Sequence, residues 1–183
     1  MTGQNILEDP FIQKINSLLE NDLSLIKVET PSDFSVKLPE RKWDIPNEDL
    51  EGLLLKITGL NTYFLYELSK IEHRRRLLKE KYEYLYKHYL LIRINEIAIE
   101  TGYDLPSLKK GNPRKFDCAE TVAKEETKLV KDVLEAFEAS EKTEGLYFKL
   151  KNVLEILRSY DECIGKVISF RQSEIRLATK LGQ

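Results

Sequence analysis

The stretch 47-NEDLEGLLLKITGLNTYFLYELSKIEHRRRLLKEKYEYLYKHYLLIRINEIAIE-100 decides the fold. It contains no proline, and only Gly52 and Gly59 weaken its helix propensity. Its apolar residues step alternately by three and four through Leu50, Leu53, Ile57, Leu60, Phe64, Leu68 and Ile71, then Leu78, Tyr82, Leu85, Tyr89 and Ile92, with Arg75 filling the gap. That is the seam of a coiled coil. The spacing predicts one helix over Asn47–Glu100, roughly 75 Å long at about 1.5 Å per residue, which exceeds the width of a compact domain. Other long helices must therefore cover its seam, from the same chain, from copies of it, or from both.

C-terminal to this stretch, Ala98 to Gly102 closes the helix, and two prolines and two glycines between Gly102 and Pro113 mark a loop. The chain then turns back without a further proline. Val122, Leu129, Val133, Leu134 and Phe137 form one apolar face, and Leu146, Leu150, Val153, Leu154, Leu157, Ile164, Val167, Ile168 and Ile175 form another. Gly145, beside Lys142-Thr143-Glu144, is the expected break between two helices. Glu120, Glu125, Glu126, Glu135, Glu138 and Glu141 make the first part of this return arm acidic. N-terminal to the long stretch, Asp9 is placed to cap a short helix whose first residue is Pro10, with Phe11, Ile12, Ile15, Leu18 and Leu19 on one face. Residues 23–28 and 34–38 are separated by Thr30-Pro31-Ser32-Asp33, and Phe34, Val36 and Leu38 alternate, which points to extended segments or a small hairpin. The expected fold is mainly α: a long antiparallel, coiled-coil-like helical hairpin over 46–183, with a small mixed appendage over 1–45.

The formal net charge is only −2, but the charges are segregated. Acidic residues dominate 1–69 and 116–162, whereas Lys70, Arg74, Arg75, Arg76, Lys79, Lys81, Lys87 and Arg93 outnumber Glu72, Glu80 and Glu83. The middle of the long helix is thus strongly basic, and Tyr82, Tyr84, Tyr86 and Tyr89 are interleaved with its charges. A basic and aromatic surface of this kind can hold a phosphate backbone and stack bases. Tyr82 and Tyr89 fall on the seam and are expected to pack there, which leaves Tyr84 and Tyr86 as the freer pair. The competing reading is a solvated coiled-coil flank, in which Arg74, Lys81 and His88, spaced by sevens, pair with glutamates of the return arm.

Other chemistry is not indicated. No glycine-rich phosphate loop or paired-cysteine motif is present, and the two histidines, His73 and His88, are too far apart on one helix to share a ligand. No catalytic residue, metal site or cofactor is assigned. Cys118 and Cys163 lack ligand spacing, the first ten residues lack the pattern of a signal peptide, and no apolar run approaches about eighteen residues. A cytoplasmic chain without a membrane span is the simplest expectation.

The order of elements resembles the UvsY-type recombination mediators of T-even-like phages. The resemblance runs from about Leu50 to Gln183 and begins with Leu60-Asn61-Thr62-Tyr63-Phe64-Leu65-Tyr66-Glu67-Leu68. A basic stretch follows, then the tyrosine-rich Tyr82-Glu83-Tyr84-Leu85-Tyr86-Lys87-His88-Tyr89. After the loop come an acidic helix and a final helix carrying Phe170-Arg171-Gln172-Ser173-Glu174-Ile175-Arg176-Leu177-Ala178. The chain departs from the family where Glu83, Tyr84 and Leu85 stand in place of a basic pair, and in its appendage. The resemblance implies a non-enzymatic protein of DNA recombination, repair and replication that forms a hexameric or heptameric ring. Such a protein binds single-stranded DNA and helps a RecA-like recombinase replace single-strand-binding protein, in the host cytoplasm if phage-encoded.

Under that reading the DNA-binding residues are Lys70, Arg74, Arg75, Arg76, Lys79, Lys81, Tyr84, Tyr86 and Lys87. Ile164, Val167, Ile168 and Ile175 are the expected oligomerisation face, because the terminal helix has little chain left to cover it. The appendage carries more acidic than basic residues, so it is expected to avoid phosphates and to dock on its own hairpin or on a protein partner.

Overall fold

The structure is a computed structural model and describes residues 6–20, 46–102, 109–111 and 113–181. Among these residues 96% are helical and none lies in a strand, so the chain is mainly α. A 3-10 turn at Ile6–Glu8 leads into α1 (Pro10–Glu20); α2 (Asn47–Glu100), α3 (Pro113–Lys128) and α4 (Lys131–Leu181) follow. The extended segments expected at 23–28 and 34–38, and most of the loop after Gly102, fall outside the described residues.

Local signals set the ends of these helices. Asp9 caps α1, its Oδ1 accepting the Phe11 amide at 2.8 Å while its carbonyl accepts that of Gln13 at 2.9 Å. Pro10 lacks an amide proton that the first turn could not have used anyway. At the other end of α2, the Thr101 and Gly102 amides bond back to the Ile97 and Ile99 carbonyls, both at 3.0 Å. Gly102 takes a φ of 76°, a left-handed conformation that a side chain would disfavour.

The helices divide between two compact units. The first contains α1, α2 from Glu72 onward, α3, and α4 as far as Gly145. Here Arg93 meets Glu126, Tyr89 meets Asp132, Tyr82 meets Phe137 and Arg75 meets Glu144. One partner's number rises as the other's falls, so α2 runs antiparallel to α3 and the start of α4. Ile6, Ile12, Leu85, Val133 and Ala136 form the core, with Tyr82, Tyr84, Tyr86, Tyr89 and Val130 packed against it. A smaller cluster joins Ala98 and Ala119 to Ile97 and Phe116. α1 therefore docks on its own hairpin.

Two expectations for this unit are corrected. The face that α3 and early α4 bury is Ala119, Ala123, Thr127, Val133, Ala136 and Thr143, whereas Val122, Leu129, Leu134 and Phe137 are exposed. Small side chains let backbones approach closely, so they line the contact and displace the larger apolar residues from it. The return arm also breaks at Leu129 and Val130 rather than at Gly145, which lies inside α4. At the break the Leu129 and Val130 amides tighten to Glu126 and Thr127, and the Val130 carbonyl accepts the Leu134 amide at 2.9 Å. Lys128 ends α3 and Asp132 lies in the first turn of α4, each matching the dipole of its helix.

The second unit contains α2 up to Ile71 and α4 from Leu146. Leu50, Ile57, Ile164 and Val167 form its core, with Leu53, Leu54 and Ile168 packed against it. This corrects the expected oligomerisation face: α2 covers Ile164 and Val167 within the chain, and of the four residues only Ile175 is largely exposed, at 62%. The apolar period is real, but its face is satisfied internally. Toward the C-terminal end of α2 the seam drifts, so that Ile94 and Ala98 are buried while Ile92 is 41% exposed. Ile94 follows Leu85 by nine residues, about 180° around the helix, so α2 buries a different face here, where Ala98 meets Ala119. Among the described residues, no helix is long and apolar enough to cross a membrane.

Candidate nucleic-acid interface

The basic and tyrosine-rich part of α2 lies in the first unit, apart from Lys70, which belongs to the second. Helical spacing sorts its residues into rows. Arg74, Leu77, Lys81, Tyr84 and His88 follow one another by three or four, as do Arg76, Lys79, Glu83 and Lys87. Arg75, Leu78, Tyr82, Leu85 and Tyr89 form the seam between these rows.

The second row is open. Arg76, Lys79 and Lys87 are exposed, Lys87 reaching Glu83 only at 3.9 Å and Arg76 sharing a 3.2 Å contact with His73 Nδ1. Arg74 on the first row is exposed as well, and neither it nor Lys79 forms an ion pair among the described residues. These are the cations most available to an incoming phosphate.

Farther along the first row, α1 covers the surface. Lys81 Nζ donates to Asn16 Oδ1 at 2.8 Å, and the Tyr84 hydroxyl donates to Asp9 Oδ2 at 2.8 Å. The Phe11 and Tyr84 rings lie 4.6 Å apart, tilted by 37°. The hydrogen bond from Tyr84 lowers the Asp9 pKa, helped by the Phe11 amide, and the same bond raises that of Tyr84. Tyr86 is half-buried and packs against Tyr82, with centroids 5.9 Å apart. Tyr84 and Tyr86 are therefore not the freer rings expected from the helical wheel. Sequence reasoning does not find Asp9, Phe11 and Asn16 as residues of this surface; the Asp-Pro cap marks where their helix starts but not where it docks.

Other basic side chains join helices. Arg75 Nε meets Glu144 at 2.9 Å across the seam, which accounts for a charge at a core position. Arg93 bonds Glu126, Glu96 and Glu100, which together hold its pKa above the ordinary value. In the second unit, Lys70 pairs with Glu67 at 3.3 Å and lies over the Tyr66 ring at 5.1 Å. Pairing with the return arm thus runs through Arg75 and Arg93, while Arg74, Lys81 and His88 make no such ion pair among the described residues.

A cavity of about 360 Å³ lies beside Arg93, lined by Tyr89, Ile92, Glu96, Glu126, Thr127 and Val130. Its one guanidinium is already saturated by carboxylates, so the cavity does not suit a phosphate. Among the described residues no cluster of three or more His, Cys, Asp or Glu could hold a metal ion. A scan against protein-family models and searches of curated proteins and of solved structures each return no match to this chain.

Proposed function

We propose that the chain is a non-enzymatic, single-stranded DNA-binding recombination mediator, which acts in the cytoplasm as a homo-oligomer. In this reading it assists loading of a RecA-like recombinase onto DNA coated by single-strand-binding protein. The observation that carries the DNA-binding part is the concentration of exposed cations on one helix: Arg74, Arg76 and Lys79, with Lys87 farther along. Each can neutralise one phosphate, and a homo-oligomer would repeat the set, so that many weak contacts add by avidity. The mediator role and its partners rest on the resemblance to the UvsY-type proteins. Titrating a labelled oligonucleotide at several salt concentrations tests the binding: a mediator binds single strands with a steep salt dependence.

The bonds of Arg75 to Glu144 and of Arg93 to Glu126 favour a second reading. There the chain is a non-catalytic coiled-coil scaffold or assembly protein, whose basic block serves to join helices. A scaffold shows no such salt-dependent binding.

A further inference from the structure

We infer that α1 is a removable cover over the DNA-binding row of α2, holding Lys81 and Tyr84 away from single-stranded DNA until it is displaced. The inference rests on the DNA-binding reading above and adds regulation to the same surface.

The chemistry at the contact is competitive. A phosphate oxygen is a hydrogen-bond acceptor, and beside the exposed Arg74 the first row offers two donors under α1, Lys81 Nζ and the Tyr84 hydroxyl. Both are taken by acceptor oxygens of α1, one from the Asn16 amide and one from the Asp9 carboxylate. A negative group therefore stands where a backbone phosphate would stand, and the Phe11 ring occupies the stacking distance of Tyr84 that a base would use. With α1 away, Arg74, Lys81, Tyr84 and His88 form one continuous row; with α1 docked, its Lys81 and Tyr84 are occupied.

The cover is also built to come off. At 11 residues α1 is shorter than the roughly 12–15 that a helix needs to be even marginally stable alone, so docking holds it. Its anchors are few: Ile6, Ile12 and Ile15 are buried, but Leu7, Phe11 and Leu18 are between 37% and 42% exposed. Residues 21–46 tether it to α2, so release does not mean loss. A ligand that binds only the uncovered state sees an affinity reduced by the fraction of chains in that state.

The double variant F11A/N16A loosens α1 without altering any charge, so a change in binding cannot come from bulk electrostatics. Anisotropy of a dye-labelled oligothymidine would report affinity at several salt concentrations, and amide hydrogen exchange would report α1. The variant should bind about fivefold tighter or more, with a salt slope steeper by about 0.7 as Lys81 neutralises one more phosphate. In the unaltered chain, added oligonucleotide should accelerate exchange in α1, because coupling between two equilibria is reciprocal. Unchanged or weaker binding by a variant whose α1 exchanges freely would overturn the cover, as would full protection of α1 in the DNA-bound chain. If neither protein binds the oligonucleotide, the DNA-binding reading itself falls and takes the cover with it.

Discussion

Single side chains at the contact between α1 and α2 give the molecule a pH window. Because the folded pKa of Asp9 is depressed below its ordinary 3.8, its bond to Tyr84 contributes above that value and is lost as the pH falls through the lowered one. Tyr84 behaves in the opposite sense. Its pKa is raised above 10.0, so its contribution is present below that pH and disappears as the pH climbs through the raised value. Docking of α1 is therefore firmest between these limits. Tyr89 offers a cleaner readout, since burial and its 2.8 Å bond to Asp132 push its pKa up to about 12. The difference in tyrosinate absorbance between the unaltered chain and Y89F should show an ionisation near that pH. A difference that titrates near 10 would contradict the bond. At this scale the sequence marks the Asp9 cap and the packing of Tyr82 against the core, because both are local or periodic properties. The partners of Lys81 and Tyr84 come from a helix far away in the chain, and no spacing within α2 encodes them.

At the scale of elements, the bounds of α2 are legible because more than fifty residues without proline carry a continuous apolar period. The return arm is harder to read. In its first part, up to Gly145, the buried face consists of alanine, threonine and valine, whereas a sequence reading assigns the largest apolar residues to the core. Its break carries neither glycine nor proline, and the charges beside it include Lys128 in the last turn of α3 and Asp132 in the first turn of α4. Two substitutions test this description. Gly145 lies inside α4, and nothing stands within 4 Å of a Cβ added there, so G145A should stabilise the fold by about 0.5–1 kcal/mol in urea unfolding. A123L should destabilise it by about 1–3 kcal/mol, because Ala123 is fully buried between α3 and its neighbours. A harmless A123L, or a destabilising G145A, would mean that the faces are wrongly assigned.

For the whole molecule, the apolar residues of α4 divide between core and surface. Ile164 and Val167 are committed to the core of the second unit, but Ile156, Phe170 and Leu177 are exposed by half or more and stand on one face of α4 at multiples of seven. With Ile175 and Leu181 they make an apolar end that copies of the chain could share. If the homo-oligomer forms there, I175E/L177E should sediment as a smaller species with unchanged helix content, whereas I164E should disrupt the fold as well. An unchanged oligomer in I175E/L177E would place the interface elsewhere. The DNA-binding proposal meets its most direct test in equilibrium titration of a single-stranded oligonucleotide across salt concentrations, with the unaltered chain and with R74A/R76A/K79A, whose three side chains are exposed and outside the core. The unaltered chain should bind with a steep negative log–log slope, and the variant should bind more weakly with a slope flatter by about 0.7 for each phosphate left without its cation, roughly two in all. Equal affinity and equal slope for the two proteins, both fully helical, would contradict it.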